Sequence, residues 1–178
     1  VEAIYGLVAL GLVHPKRVKR NADAKPGDVL VVGKPLGVGV MSAALKKGAL
    51  GDAGYAQMIA STTQLNTPGP DLAELQGVHA ITDVTGFGLL GHALEMARGS
   101  NLALTIRASD VPLLGLAAQL AKEGFVTGAS HRNWSSYGDD VRLPQDCREW
   151  QRHLLTDPQT SGGLLIACAP QRAAALAS

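Results

Sequence analysis

Aromatic side chains are scarce in this 178-residue chain, at 4% of residues, so any core has to be built from Leu, Ala, Val and Ile. Cysteine is scarcer still. Cys147 and Cys168 form no CxxC pair and no zinc-ligand spacing, which excludes a disulfide scaffold and a zinc ribbon. Cys168 lies in the apolar run Leu164 to Cys168 and reads as a buried thiol. Charge of one sign is also lacking: 16 basic against 15 acidic residues leave a net charge of +1. So small an excess supplies no long-range field to draw nucleic acid or a membrane surface. The basic run His14 to Arg20 reads as a solvated turn. No apolar run reaches the ~20 residues of a membrane span, and no signal peptide precedes the first apolar segment. A reduced, cytoplasmic protein is the expectation. Catalytic signatures are missing too. There is no GxxxxGK[ST] loop, no GxSxG elbow, and the five histidines are scattered. Gly37 and Gly39 begin a dinucleotide-like pattern, but Ser42 stands where its third glycine belongs.

What is present is apolar and glycine-rich: 46% hydrophobic residues, 17% charged and 21 glycines. That composition supports a packed core with tight turns. The length suits one domain, or one domain with a piece of a second. Runs of β-branched and apolar residues predict strands over Ile4–Val13, Val29–Val32, Val78–Thr82, Leu102–Ile106 and Gly163–Ala169. Helical spacing predicts helices over Val40–Lys47, Asp52–Leu65, Asp71–Leu75 and Leu89–Ala97, one capped by Ser109 or Asp110 and running to Glu123, one over Pro144–Leu155, and a last helix from Pro170. Val126 to Leu143 is polar and Gly/Ser-rich and is expected to be a long ordered loop. Strands alternate with helices, which predicts a layered α+β (α/β) domain with a mixed or antiparallel sheet packed with helices.

Three segments can carry chemistry. Thr82-Asp83-Val84-Thr85-Gly86-Phe87-Gly88 delivers a carboxylate to the end of a strand, then turns directly into a helix. A helix N-terminus offers free N–H groups to a phosphate, and glycines let that phosphate approach. Asp83 has two readings at this level: a Mg²⁺ ligand bridging to phosphate oxygens, or a cap on the helix. Asp157-Pro158-Gln159-Thr160-Ser161-Gly162-Gly163 leads from polar turn residues into an apolar strand, as a pocket lining or as an Asx-type turn. Arg132, in the polar stretch with Asn133, Trp134 and Tyr137, either meets an anion or pairs with Asp139 or Asp140.

Taken together, these segments resemble selenophosphate synthetase (selenide, water dikinase), of the aminoimidazole ribonucleotide synthetase-like superfamily. The matching stretches are Gly33-Lys34-Pro35-Leu36-Gly37, Thr82 to His92, Arg132-Asn133 with Ser136-Tyr137-Gly138, and Asp157 to Leu165. They span nearly the whole chain, and the Asp83 and Asp157 motifs are specific as a pair. The resemblance implies the C-terminal domain of that fold. It implies a homodimeric, Mg²⁺-dependent enzyme that converts selenide, ATP and water to selenophosphate, AMP and phosphate. It also implies Asp83 as a magnesium ligand and Asn133, Thr160, Ser161 and Gly162 as neighbours of the nucleotide pocket. Residues 1–14 are expected to be the end of an N-terminal ATP-binding domain or a linker. Residues 15–178 are expected to be a C-terminal domain truncated at its own end. The family's Gly-rich loop with a catalytic Cys or selenocysteine and a Lys is not in this sequence, nor are its further Asp ligands. No catalytic residue is therefore expected here, and the chain alone is expected to be inactive. Two alternatives stay open: another ATP-dependent member acting on a purine precursor, a thiamine phosphate or a hydrogenase-maturation substrate, and a non-catalytic dimerisation or binding module.

Overall fold

The structure, a computed structural model, describes residues 6, 8 and 10–176. Three strands form one sheet: β1 (Val29–Val32), β2 (Val78–Asp83) and β3 (Leu164–Cys168), in the order β1-β3-β2. Both ladders are antiparallel, with Val32 and Thr82 each opposite Leu165 and Asp83 opposite Leu164. Among the described residues, parallel pairing is confined to an isolated bridge between Leu36 and Leu113. The last strand in sequence therefore sits in the middle, and its first residues lie between the ends of the other two.

Among the described residues eight α-helices surround the sheet: α1 (Val38–Lys46), α2 (Asp52–Thr63), α3 (Gly69–Glu74), α4 (Gly88–Gly99), α5 (Ala117–Lys122), α6 (Gly128–Tyr137), α7 (Glu149–Leu155) and α8 (Pro170–Leu176). The period-two rule for strands divides β3 between two layers. Leu165 and Ala167 join the main core with Leu89, Ala93 and Met96 of α4. Ile166 and Cys168 face the other way, onto Leu72 of α3 and Ala173 and Leu176 of α8. A third cluster, from α1, α2, α5 and α7, packs beside them around Val40, Met41, Leu120 and Leu154. The layered α+β expectation is met, and Cys168 is fully buried as read.

Several element expectations are corrected. Leu102, Leu104 and Ile106 do alternate inward onto the main core, but the segment pairs with no strand among the described residues. Its alternation is satisfied by one-sided packing along a groove beside β1. The helix expected from Ser109 to Glu123 is cut at Pro112 and Gly115 and survives only as α5. The helix expected from Pro144 starts later, at Glu149, where the Arg148 amide donates to Gln151 Oε1 at 2.9 Å. The expected loop over 126–143 contains α6 instead. Thr127 caps it by accepting from the Ser130 amide at 3.1 Å, and its buried face is polar: Ser130, Asn133 and Tyr137. A hydrophobic pattern cannot reveal a helix whose inward side chains are held by hydrogen bonds. Of the strand expected over residues 4–13, positions 4, 5, 7 and 9 lie outside the described residues, and the described positions carry no strand.

Candidate functional site

The two chemistry-bearing motifs meet where β2 ends and β3 begins. The Val84 amide donates to the Gly163 carbonyl at 2.9 Å, and the Gln159 amide donates to Thr85 O at 3.0 Å. The Gly33 amide donates to Leu164 O at 2.8 Å, bringing the Gly33-Lys34 turn to the same end of the sheet. Contact this close requires glycine. A side chain at Gly163 would stand 2.8 Å from Lys34 Cβ and 2.9 Å from Gly33 C.

Within 85–88 the backbone polarity is sorted. Thr85 O accepts from the Gly88 and Gln159 amides, Gly86 O from Asn133 Nδ2 at 2.8 Å, and Phe87 O from the Tyr137 hydroxyl at 2.6 Å. The amides of Thr85, Gly86 and Phe87 have no acceptor among the described residues. All three carbonyls are thus turned to the protein, while three donors remain for solvent or a ligand, at the start of the twelve-residue helix α4. Burial of the Tyr137 ring pushes its phenol up to about 12, so it stays a proton donor to Phe87 O at neutral pH.

Asp83 ends β2 and is exposed, and its carboxylate makes no hydrogen bond or ion pair with a described residue. It does not cap α4, whose N-cap position is Phe87 and which has no side-chain cap. The capping alternative therefore falls away, and the carboxylate is free for another partner. Among the described residues no group of three or more His, Cys, Asp or Glu stands together as a metal cluster. Asp83 fits a divalent cation as one carboxylate ligand, not as a complete site.

Asn133 is buried and spends its amide on Gly86 O and Thr156 O, so it holds the turn from behind. Thr160 and Ser161 are exposed, Ser161 with a left-handed φ of 50°, and Gly162 is buried against Val84. Arg132 is exposed and pairs with neither Asp139 nor Asp140; Asp140 pairs with Arg98 instead.

Two supports escaped the sequence. Lys34, only 4% exposed, has no carboxylate partner among the described residues. Its Nζ donates to the carbonyls of Gln64 and Ser161, each at 2.6 Å, and of Ser61 at 3.4 Å. The first two are within ordinary hydrogen-bond length, and the α2 C-terminus from which Ser61 and Gln64 come favours a cation. Desolvation lowers its pKa. Replacing Lys34 with Met, which keeps the stem and deletes the donors, is expected to cost about 2 kcal/mol. Urea unfolding would measure that loss, and amide exchange should rise first around residues 160–162.

The second support is the Asp157–Gln159 pair at the N-terminus of α1. Asp157 is fully buried, and its Oδ2 accepts from the Gly39 amide at 2.9 Å. Gln159 Oε1 accepts from the Gly37 and Val38 amides at 3.2 and 3.3 Å, while its Nε2 donates to Asp157 Oδ2 at 3.0 Å. The first turn of α1 has no side-chain cap of its own, so these two side chains satisfy it from 118 (Asp157 to Gly39) and 122 (Gln159 to Gly37) residues away in sequence. The stretch read as a pocket lining or an Asx turn is, in its first half, a helix cap supplied from a distance.

A three-strand sheet with helices on both faces, its exposed strand-to-helix turn glycine-lined, defines the class. Residues 25–178 match the family described as AIR synthase related protein, C-terminal domain, and the chain belongs to that family. Curated relatives sharpen the likeness. The chain is 64% identical over 171 residues to the selenide, water dikinase of Paraburkholderia xenovorans (strain LB400), covering 96% of this chain and 48% of that protein. It is 61% identical over 176 residues to the selenide, water dikinase of Rhizobium meliloti (strain 1021), covering 99% and 50%. The chain thus spans about half the length of the curated relatives it matches. Among solved structures, thiamine-monophosphate kinase from Stenotrophomonas maltophilia K279a aligns with a TM-score of 0.61 over 92% of this chain and 46% of its own. At 20% identity that likeness speaks for the fold alone.

Proposed function

We propose that this chain is the C-terminal domain of a selenide, water dikinase, with residues 15–178 as the domain and residues 1–14 as the end of, or link to, the domain before it. The whole enzyme would use ATP and water to turn selenide into selenophosphate, releasing AMP and phosphate, in the cytoplasm and as a homodimer. The observation that carries this reading is the 64% identity over 171 residues to a protein of that name, running through both motifs. No helix among the described residues is long and apolar enough to cross a membrane. Val8, Leu10 and Leu12 are 88%, 95% and 105% exposed, which suits a segment whose cover is another part of the protein.

In this reading Asp83 is one ligand of a Mg²⁺ that neutralises charge on the phosphate oxygens of ATP. The chain's own contribution is positioning. The amides of Thr85, Gly86 and Phe87 receive phosphate oxygens, held outward because every carbonyl of the turn is engaged. Asn133 fixes the turn from behind, and Thr160, Ser161 and Gly162 border it. The nucleophile system and the remaining metal ligands belong to other parts of the enzyme.

Asp83→Ala tests this reading. Because Asp83 is exposed and unpartnered, the substitution should change stability by less than about 0.5 kcal/mol. In the full-length enzyme it should weaken Mg²⁺-dependent ATP binding at least tenfold, about 1.4 kcal/mol. Unchanged affinity, read by calorimetry with and without Mg²⁺, would remove Asp83 from the site. The 178-residue chain alone should show no selenide-dependent ATP turnover, and turnover abolished by Asp83→Ala would overturn that expectation.

A further inference from the structure

His92 is not used by the reading above, yet it is one of the most constrained polar side chains near the turn. It is 7% exposed on the first turns of α4, and both ring nitrogens are engaged. Nδ1 lies 3.0 Å from Glu95 Oε2, and Nε2 lies 3.2 Å from Thr85 Oγ1. The Phe87 ring packs against the imidazole, with centroids 5.7 Å apart and planes tilted by 52°. Glu95, one helical turn further on, thus reaches Thr85 through the ring.

A carboxylate only accepts, so Nδ1 must carry the proton it shares with Glu95. With that single proton on the ring, Nε2 is bare and accepts, and the donor to it is then the Thr85 hydroxyl. The polarity of Thr85 is therefore set from Glu95: the hydroxyl proton goes to the imidazole, and the oxygen keeps only lone pairs for anything outside. Thr85 and Asp83 flank Val84, which is fully buried, while Asp83 is exposed and Thr85 half-buried, so both side chains leave the backbone on the face opposite Val84.

We propose that His92 and Glu95 are positioning residues that turn Thr85 into a second acceptor beside Asp83, specific for a hydrated divalent cation. This deepens the dikinase reading and rests on it. The turn would then be divided by chemistry. Asp83 and Thr85 Oγ1 offer oxygen acceptors to a cation or its water shell, while the amides of Thr85, Gly86 and Phe87 offer donors to phosphate. A Thr85 hydroxyl free to donate would blur that division, competing for phosphate oxygens on the cation's side.

The test uses ring-nitrogen NMR on ¹⁵N-histidine-labelled protein and Mn²⁺ binding by electron paramagnetic resonance, both on the full-length enzyme without nucleotide. In the wild type, His92 Nε2 should show the unprotonated, acceptor type of shift, and in Glu95→Ala that signature should be lost. Mn²⁺ affinity should fall at least fivefold in Thr85→Val, His92→Leu and Glu95→Ala. Thr85→Ser keeps the hydroxyl and His92→Gln keeps an acceptor near Nε2, so both should stay within twofold of wild type. Glu95 is a half-exposed helix residue, so its removal should leave the fold intact. A protonated Nε2 in the wild type overturns the proposal. So does full Mn²⁺ affinity in Thr85→Val and Glu95→Ala while Asp83→Ala loses it, an outcome that leaves the dikinase reading standing. Full affinity in Asp83→Ala itself overturns both.

Discussion

Gly88→Ala is expected to destabilise the domain by about 3–5 kcal/mol, while Gly86→Ala, two residues away in the same motif, is expected to leave it as stable or slightly more so. Two separate penalties meet at Gly88. Its φ is +71°, a region where a side chain costs about 1–2 kcal/mol. An added Cβ would also stand 2.6 Å from Thr156 C and 2.8 Å from Thr156 O. Thr156 cannot easily yield. It is fully buried, its carbonyl accepts from Asn133, and its hydroxyl is bonded to Ser130 Oγ at 2.6 Å and to Arg152 O at 3.0 Å. Gly86 has nothing within 4 Å of its would-be Cβ and no positive φ, so alanine there only reduces the freedom of the unfolded chain. For a domain of this size the loss at Gly88 corresponds to a fall in melting temperature of roughly 6–20 °C, readable by calorimetry. On the proposed dikinase reading, Gly86→Ala should instead weaken nucleotide binding in the full-length enzyme, because its open face would be the approach to the turn amides. Equal melting temperatures for the two variants would refute the distinction.

That pair of glycines shows what the sequence could and could not disclose. Gly86 and Gly88 look alike in Thr85-Gly86-Phe87-Gly88, and both read as loosening a ligand-binding turn. Only the fold reveals that one faces outward and the other rests on a strand of backbone 68 residues away in sequence (88 to 156). Features built from neighbours in sequence were legible. Val29 to Val32 is a strand with the bounds its β-branched residues predict, and Asp83 stands at a strand end ahead of a helix as read. Features built from distant partners were not. Lys34 sat in a loop set aside for lacking a phosphate-binding pattern, and its carbonyl cage draws on residues 61, 64 and 161. Helix α6 hid because the side chains it buries are polar and are satisfied by Gly86, Phe87 and Thr156. His92 read only as one of five scattered histidines, because nothing local ties it or Glu95 to Thr85.

Asp157 should make the stability of this domain fall as pH rises, the reverse of the usual carboxylate. Burial pushes its pKa from 3.8 up to about 7, against the opposing pull of the Val40 and Gly39 amides and the Gln159 side chain. Its Oδ1 is buried with no hydrogen-bond partner, so the charged form leaves a lone acceptor in the core. Between pH 3.8 and about 7 the folded state holds a proton that the unfolded chain has released. The contribution is therefore complete below the unfolded value, declines through that window, and is gone above the folded value. Its span is on the order of 4 kcal/mol. Asp157→Asn should flatten this component: it keeps an oxygen toward Gly39 and cannot ionise, so it should gain on the wild type as pH passes 7. Asp157→Ala should cost about 3 kcal/mol or more at pH 5, since it uncaps α1, strands the Gly39 amide and leaves a cavity. Urea midpoints of the three proteins across pH 4 to 8 decide the matter. A wild-type profile that rises from pH 4 to 7 while the Asn variant's stays flat would mean that the N–H groups at the start of α1 outweigh desolvation, and that Asp157 caps the helix as an anion throughout.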